Sequence, residues 1–238
     1  MKRLDIYIEG KTKIIYNTED PDKAIMRYKD DITAFNGAKK DVFEEKGRIN
    51  NKISAKIFNY LESKGNIRTH FVYRLDDEHV LVEKTEMIPV EIIVRNRAAG
   101  ALLKKAEFVE EGDELSTPIL EFHIKDDENK DPEVSAEHLV EQRILSENEV
   151  ENIKRISNKV NNMLKLYFEE IGLDIIDFKL EFGRKGQELL LADEITPDTC
   201  RLWDMNTGEK YDKDIFREGN GDVLLGYREV LKRMESKK

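Results

Sequence analysis

Residues 175–183 read Ile-Ile-Asp-Phe-Lys-Leu-Glu-Phe-Gly, and apolar and charged side chains alternate along this stretch. In an extended strand, successive side chains point to opposite faces of the sheet. One face therefore carries Asp177, Lys179 and Glu181, while the other carries apolar side chains that pack in a core. The alternation predicts a half-buried strand with a cluster of carboxylates on its polar face, and such a cluster needs a cation.

A predicted hairpin follows this strand. Residues 184–186, Arg-Lys-Gly, are typical of a three-residue loop with glycine in the left-handed position. A loop of this length pairs Gly183 with Gln187, and the same register sets Asp193 opposite Asp177. The pattern therefore predicts three carboxylates and one lysine on one side of a two-stranded ribbon.

Two of these carboxylates, Glu181 and Asp193, predict a magnesium site. Mg²⁺ takes few protein oxygens and keeps its other positions for water and phosphate, and Lys179 between the carboxylates would neutralise phosphate charge. The alternative is an exposed hairpin face whose charges pair with one another. The loop at residues 194–204 favours the site, because it is dense in hydrogen-bonding groups and contains the only Cys and the only Trp of the chain.

Composition excludes several classes of protein. A chain of 238 residues suits one large domain or two small ones. Its single Cys excludes an internal disulfide, and without a long apolar stretch near the N-terminus we expect a cytoplasmic protein. No apolar run approaches the roughly 20 residues that cross a bilayer. The net charge of −10 argues against general nucleic-acid binding, which relies on an excess of Lys and Arg.

The element patterns predict an α+β fold with antiparallel sheets in two abutting α/β subdomains, residues 1–84 and 85–238. Short strands fill the first part, together with one amphipathic helix that ends at residues 64–66, Lys-Gly-Asn. The second part combines strands with a long helix that begins at a capping box, residues 146–149, and with a final helix at residues 223–234. Without long linkers, we expect an active-site cleft between the two parts.

Two segments carry groups that bind anions. Residues 9–16 place one glycine and two lysines at a turn between strands, where amides and ammonium groups can approach a phosphate. This segment lacks the spacing of a P-loop, and exposed lysines at a hairpin end are the simpler interpretation.

Residues 89–101 form the second segment. Alternation along a strand would place Arg95 and Arg97 on the same face, where two guanidinium groups can clamp a phosphate or a carboxylate. The small residues 98–101 would let a ligand approach closely. The alternative is an arginine pair on an edge strand.

The remaining charged or titratable segments favour structural roles. Residues 125–132, taken alone, are typical of a solvated turn. The four His residues, at positions 70, 79, 123 and 138, show no metal-ligand spacing, and no paired Cys motif indicates zinc. We therefore expect these histidines to be structural.

Taken in order, the segments at residues 9–14, 89–100, 175–183 and 193–203 resemble the SAICAR synthetase family of purine biosynthesis. The sequences Pro-Val-Glu-Ile-Ile-Val-Arg-Asn-Arg-Ala-Ala-Gly and Ile-Ile-Asp-Phe-Lys-Leu-Glu-Phe-Gly look like the two signature segments of that family. The family usually has a hydroxyl residue directly after the glycine of the first signature, where this chain has Ala101. A backbone amide or a water molecule would then replace that contact to the substrate phosphate.

The resemblance implies an ATP-dependent, amide-forming ligase. Such an enzyme would join L-aspartate to the carboxylated aminoimidazole ribonucleotide through an acyl phosphate, giving the succinocarboxamide, ADP and phosphate. The resemblance also implies Mg²⁺ as cofactor, a two-part architecture related to the ATP-grasp and kinase-like folds, and a homodimer. Neither a nucleic acid nor a membrane is an expected partner.

The resemblance further implies a site map. Metal binding falls to Glu181 and Asp193, and these two residues form the catalytic set together with Lys179. ATP would contact Gly10, Lys11, Thr12, Lys13, Glu83, Met87, Lys125 and Lys179. The ribonucleotide and L-aspartate would contact Asn36, Arg95, Gly100, Ala101, Asp177, Arg201, Lys213 and Arg217.

Two alternatives from other functional classes stay open on the sequence alone. A kinase-like phosphotransferase with the same nucleotide cleft would release ADP with a hydroxyl acceptor and ignore aspartate, although an alcohol needs no arginine clamp. A non-catalytic nucleotide-binding protein would bind ATP without turnover, although Lys179, Glu181 and Asp193 are all present.

Overall fold

The structure is a computed structural model that describes residues 1–35, 37–106 and 109–237. Asn36, which the resemblance assigns to the substrate site, lies outside the described residues. The strands are β1 (Arg3–Glu9), β2 (Lys13–Thr18), β3 (Lys23–Tyr28), β4 (Asp31–Ala34), β5 (Lys39–Val42), β6 (Phe71–Arg74), β7 (His79–Glu83), β8 (Glu86–Arg97), β9 (Glu114–Ile124), β10 (Glu133–Val134), β11 (Leu173–Lys185), β12 (Glu188–Ala192) and β13 (Cys200–Asp204). The helices are α1 (Lys46–Gly65), α2 (Ala136–Glu141), α3 (Glu147–Glu169), α4 (Asp214–Glu218) and α5 (Val223–Ser236), with a short 3₁₀ helix at Gly100–Lys104.

Five antiparallel strands form the first sheet, in the order β1-β2-β3-β7-β6. Alternation along β3 gives this sheet two different faces. Met26 belongs to the main hydrophobic core, while Ile14, Tyr16, Ile25 and Leu81 form a smaller cluster. The neighbouring strands β4 and β5 pair only with each other and lead into α1.

Helix α1 packs against strands of the first sheet and against α3 and α5. Its apolar stripe is fully buried, including Ile53, Ile57 and Leu61. The helix ends where the sequence predicts: Asn66 adopts a left-handed φ of 47°, and its backbone N–H donates to the last turn. A buried stripe of this kind stabilises a helix far more than its intrinsic propensity does.

The second sheet runs in the order β10-β9-β8-β11-β12, and β13 also pairs with β11. The pairings between these strands are antiparallel, which confirms the predicted fold class. Leu191 of β12 also forms an isolated parallel bridge with Thr69. The predicted hairpin of β11 and β12 lies within this larger sheet, where β11 has β8 on one side and both β12 and β13 on the other. Its apolar side chains face the core as predicted, and Phe178, Leu180 and Phe182 are at most 1% exposed.

The predicted register of this hairpin is wrong. Gly183 pairs with Leu190 rather than with Gln187, since the chain turns through only two residues between Lys185 and Glu188. Gly186 has the expected positive φ, 61°, but a glycine at this position suits two-residue and three-residue loops alike. Asp177 therefore lies opposite Arg95 on β8 and Arg201 on β13, not opposite Asp193.

A single hydrophobic core continues from one sheet to the other, and it includes Met26, Phe58 and Leu180. The strands of the first sheet end at Glu83, and those of the second begin at Glu86. A division into two subdomains at residues 84 and 85 stays a prediction. Within the described ranges, no helix is both long enough and apolar enough to cross a membrane.

Candidate active site

A cleft of about 990 Å³ is lined by residues of both sheets. The residues that the sequence assigns to ATP, metal and substrates line it, except Gly100 and the undescribed Asn36. The structure thus brings together segments from the N-terminal turn to α4. Their individual roles stay predictions at this point.

The polar face of β11 supplies the middle of the cleft. Glu181 is 3% exposed, and each of its carboxylate oxygens accepts a hydrogen bond from one lysine. The donors are Lys179 and Lys125, both at 2.7 Å. Lys179 also donates to Glu91 of β8 at 2.7 Å. Although burial opposes its charge, the surrounding carboxylates raise the pKa of Lys179 well above its ordinary value, so this lysine stays charged at neutral pH.

The end of β12 brings Asp193 to the same place. Ala192 lies opposite Glu181, and Asp193 follows with a left-handed φ of 61°, which turns the chain out of the strand. Lys13 forms ion pairs with Asp193 and, at 2.9 Å, with Glu194. Burial opposes the charge of Lys13, but the two carboxylates raise the pKa of this lysine above its ordinary value. The N-terminal turn is therefore tied directly to the candidate metal ligand.

A second group of charges centres on Asp177. One of its carboxylate oxygens accepts hydrogen bonds from both Arg95 and Arg201, each at 2.7 Å. Arg201 also donates a hydrogen bond to Asp214 at 2.6 Å. Arg95 donates its other terminal nitrogen to Glu121 at 2.8 Å, but its Nε has no partner among the described residues. Two guanidinium groups therefore converge on one buried carboxylate at the wall of the cleft.

The predicted clamp of Arg95 with Arg97 is wrong. The pairing of β8 with β9 is irregular between these two arginines, which breaks the alternation on which the prediction rests. Arg97 donates to Asp174 at 2.5 Å and to the carbonyl of Gly112, and it does not line the cleft. The partner of Arg95 is instead Arg201, from a strand more than 100 residues later.

The small residues after the arginines do not form an open floor for a ligand. Ala98 and Ala99 are completely buried. Gly100 has a φ of 58°, and a Cβ at this position would lie 2.5 Å from an Nη atom of Arg201. The glycine therefore makes room for Arg201, and only Ala101 of this segment lines the cleft.

The opposite part of the cleft is partly apolar. Ile15, Ala24 and Val82 of the first sheet line it. Val82 directly precedes the predicted nucleotide residue Glu83, and Ala24 pairs with Val82 across the sheet. Sequence alone does not single out these three residues, because each fits an ordinary core strand equally well. Met87 is 42% exposed on the second sheet and lines the same cleft.

The segment at residues 125–132 is more than the solvated turn that its composition predicts. Lys125 reaches Glu181, and Asp127 forms an ion pair with Lys11 of the N-terminal turn. Both residues line the cleft together with Asp131. Local composition misses this role, because the partners lie more than 50 residues away in the chain.

His70 is a cleft residue that the sequence did not indicate. Its Nε2 lies 3.1 Å from the carbonyl oxygen of Asp193, and its ring packs edge-on against Phe58. Burial lowers the pKa of His70 to about 4, so the ring is neutral at physiological pH. Glu91, Glu194 and Asp198 also line the cleft without having been predicted.

Most lysine and arginine side chains of the cleft form an ion pair with a carboxylate. Among the described residues, Lys84 and Lys213 are the exceptions, since Lys84 donates to Asn17 and Lys213 makes no side-chain hydrogen bond or ion pair. Ammonium and guanidinium groups can exchange these carboxylates for phosphate oxygens, and the released carboxylates are then free to bind a divalent cation. The arrangement suits a polyphosphate that arrives with a metal ion.

Comparison with known proteins gives one consistent result. The family model described as SAICAR synthetase matches residues 6–234. A phosphoribosylaminoimidazole-succinocarboxamide synthase of Clostridium botulinum is 47% identical over 234 residues, which cover 98% of this chain and 99% of the relative. The protein of the same name from Persephonella marina is 46% identical over 236 residues, covering 99% and 98%.

Solved structures agree with the sequence comparison. The crystal structure of phosphoribosylaminoimidazole-succinocarboxamide synthase from Ehrlichia chaffeensis superimposes with a TM-score of 0.94 at 43% identity, covering 98% of this chain and 100% of that one. A structure described as SAICAR synthetase (Type-2) in complex with ADP has a TM-score of 0.93 at 42% identity, covering 98% and 99%.

Proposed function

The chain belongs to the SAICAR synthetase family, and from this premise we propose that it joins L-aspartate to the carboxylated aminoimidazole ribonucleotide with hydrolysis of ATP. The products are the succinocarboxamide, ADP and phosphate, which makes the protein an ATP-dependent ligase of purine biosynthesis. The observation that carries this proposal is the single cleft in which paired lysines and carboxylates adjoin an arginine pair. It offers one region for a nucleotide and another for a phosphorylated acceptor.

The reaction needs an activated carboxyl group, because a carboxylate does not react usefully with an amine at neutral pH. A carboxylate oxygen of the ribonucleotide attacks the γ-phosphorus of ATP, the bond to the bridging oxygen breaks, and ADP leaves. The amine of L-aspartate then attacks the acyl carbon, phosphate leaves with the bonding electron pair, and the amine loses a proton. Alignment of the reactants and neutralisation of phosphate charge supply most of the rate enhancement.

The nucleotide assignment rests on the N-terminal turn and the first sheet. Thr12 provides a backbone amide, and Lys11 and Lys13 provide charge for the phosphates. The N–H of Gly10 donates to the carbonyl of Lys13, so this glycine contributes by letting the phosphates approach the turn closely. The apolar wall beside Glu83 and Met87 would take the adenine ring. The relative whose structure is described as a complex with ADP supports a nucleotide at this cleft. Lys125 and Lys179 would then exchange Glu181 for phosphate oxygens.

The residues present fit a magnesium ion. Glu181 and Asp193 are hard oxygen donors, and each already forms an ion pair with a lysine, so each can accept a metal in place of an ammonium group. When bound, Mg²⁺ neutralises charge on the phosphates of the nucleotide. Lys179 lies beside both donors and completes the proposed catalytic set.

The acceptor assignment rests on the arginine pair. Arg95 and Arg201 supply positive charge for the phosphate of the ribonucleotide, and Asp177 holds the two guanidinium groups in place. Gly100 contributes by giving Arg201 its space, and Ala101 adjoins the same wall. A contact between Asn36 and this substrate stays a prediction.

L-Aspartate carries two carboxylates, and α4 with the residue before it offers two cations to receive them. Lys213 and Arg217 both line the cleft, and Lys213 has no carboxylate partner among the described residues. We assign the carboxylates of L-aspartate to this pair.

The cytoplasmic location and the homodimer that the family resemblance implies are also part of the proposal. Sedimentation equilibrium tests whether the protein is a dimer.

Coupled ADP release tests the proposed function. Purified protein receives Mg-ATP, the carboxylated ribonucleotide and L-aspartate, and each component is omitted in turn. We expect turnover only with all three. ADP release that continues without aspartate would instead indicate a phosphotransferase or an ATPase, and ATP binding without turnover would indicate a non-catalytic protein.

A further inference from the structure

Asp198 lines the cleft, yet its carboxylate is fully engaged on the protein side. Lys46 donates to Oδ2 at 2.5 Å, Asn50 donates to the same oxygen at 2.7 Å, and Tyr227 donates to Oδ1 at 2.7 Å. The side chains of Lys46 and Asp198 are 1% and 3% exposed. We call this group of four side chains the Asp198 clasp. It joins the first two turns of α1 and the second turn of α5 to the turn at residues 196–199.

The clasp is connected to α4 through the backbone. Within the turn, the N–H of Asp198 donates to the hydroxyl of Thr196, and the N–H of Thr199 donates to the carbonyl of Thr196. The carbonyl of Pro197 in turn accepts from the N–H of Lys213 at 3.1 Å. The turn that carries Asp198 is therefore hydrogen-bonded to Lys213, the residue directly before α4.

A buried ion pair is a costly way to hold a turn, since well-packed apolar groups would hold it at least as firmly. The charge of Asp198 also acts electrostatically on Lys213. Burial lowers the pKa of Lys213, and among the charged groups around this lysine Asp198 and Glu194 raise the pKa while Arg217 and Lys46 lower it. Asp198 is thus the largest of the charges that raise the pKa of Lys213 against the effect of burial.

We propose that Tyr227, together with Lys46 and Asn50, is a positioning residue of the ligase, which acts through Asp198 to hold Lys213 in place for the carboxylate of L-aspartate. This inference rests on the proposed function, in which Lys213 binds L-aspartate. It assigns a functional role to α5, although Tyr227 itself does not line the cleft.

Tyr227→Phe tests the proposal with little disturbance, because it removes one hydroxyl and keeps a ring that is completely buried. We expect the KM for L-aspartate to rise about fivefold or more, while kcat and the KM for Mg-ATP change less than about twofold. The matched control is Tyr167→Phe, a buried tyrosine of α3 outside the cleft, which should leave all these constants unchanged. An unchanged KM for L-aspartate in Tyr227→Phe, or an equal rise for all three substrates, would overturn the proposal.

Asp198→Asn supplies a second and independent readout. Without the negative charge, Lys213 loses its proton at lower pH, so the alkaline limb of kcat/KM for L-aspartate should shift to lower pH than in the wild type. In Tyr227→Phe, which keeps the charge, this limb should not move. Coincident alkaline limbs in Asp198→Asn and the wild type would contradict the role of Asp198. Aspartate-dependent ADP release by the wild type is checked first, since its absence would reject the proposed function rather than the clasp.

Discussion

Glu181 lies buried on β11 with one lysine on each carboxylate oxygen. An uncompensated carboxylate at this position would be costly, so the lysines stabilise the ligand-free cleft. The same carboxylate is a proposed magnesium ligand, and both roles follow from the alternation of charged and apolar residues in the sequence. What the sequence could not provide is Lys125 as second partner, because nothing local links residue 125 to residue 181.

Replacing Glu181 by Gln should reduce turnover by about tenfold or more, because an amide oxygen is a weaker magnesium ligand than a carboxylate. The Mg²⁺ concentration for half-maximal ADP release should rise as well. A magnesium titration of ADP release measures both quantities. Glu188→Gln, on the neighbouring strand and with a side chain 62% exposed, is the control and should behave as the wild type. Wild-type turnover in Glu181→Gln would remove Glu181 from the site.

Asp212 is a second residue with a measurable consequence. Burial, and next the neighbouring Asp214, raise the pKa of Asp212 to about 7, and its oxygens accept the backbone N–H groups of Leu202 and Asp214. Since the folded pKa is higher than the unfolded value near 3.8, this group stabilises the fold fully below about pH 4. Its contribution, up to about 4 kcal/mol, is lost as the pH rises through 7.

Asp212→Asn should therefore remove this contribution to the pH dependence of the free energy of unfolding. Between pH 5 and pH 8, the free energy of unfolding of the wild type should fall by more than that of the variant. Urea denaturation at the two pH values measures the difference, and Asp41→Asn, an exposed carboxylate on β5, provides the control. Equal losses of stability in the wild type and in Asp212→Asn would contradict the assignment.

At the scale of elements, α3 shows how capping and packing act together. Ser146 accepts the N–H of Glu149, and the carboxylate of Glu149 accepts the N–H of Ser146 at 2.8 Å, which confirms the predicted capping box. The same carboxylate accepts from Arg184 of β11 at 2.5 Å. The start of α3 is thus fixed to the central strand of the second sheet.

Ser146→Ala should lower the free energy of unfolding by about 1 kcal/mol, because the variant loses the acceptor for an amide at the start of the helix. Turnover should not change, since Ser146 does not line the cleft. Urea denaturation and ADP release check the two statements. Ser63→Ala, on the exposed face of α1, should cost less stability. A loss of turnover at unchanged stability would contradict this role of the cap.

Elements were easier to predict from sequence than their connections. The C-terminal cap of α1, the capping box of α3 and the core face of β11 depend on residues a few positions apart, and all three were predicted. The hairpin register failed because Gly186 allows two loop lengths. The Arg95 clamp failed because an irregular pairing in β8 breaks the alternation, and the partner strand β13 is distant in sequence. Long-range pairing of this kind is set by tertiary packing, which local pattern does not encode.

At the scale of the whole molecule, the fold class and the cleft followed from the order of strands and helices, whereas the cleft walls did not. Ile15, Ala24 and Val82 became recognisable only once β2, β3 and β7 were seen side by side. His70 became recognisable only from its contact with the backbone of Asp193. Each of these residues has an ordinary local sequence context, so its place in the cleft is a property of the assembled sheets.

Ligand binding should stabilise the entire fold, since the cleft draws on both sheets. At about 100 times its dissociation constant, Mg-ATP should raise the free energy of unfolding by about 2.7 kcal/mol. Chemical denaturation with and without Mg-ATP measures this gain. The same nucleotide concentration should stabilise Glu181→Gln less, because magnesium binding is weaker there. An equal gain in both proteins would argue against a magnesium contact at Glu181.

The pairing of charges in the cleft also affects how fast ligands arrive. Nine basic and ten acidic side chains line it among the described residues, so its net charge is close to zero. An anionic nucleotide then feels little attraction at distances beyond the Debye length, and long-range steering contributes little to its association rate. The lysines become available only when the phosphates displace their carboxylate partners at short range. Because the whole chain carries a net charge of −10, salt screens repulsion rather than attraction, and the rate of capture should not fall as ionic strength rises. This sets the protein apart from enzymes that draw phosphates in through a strongly positive surface.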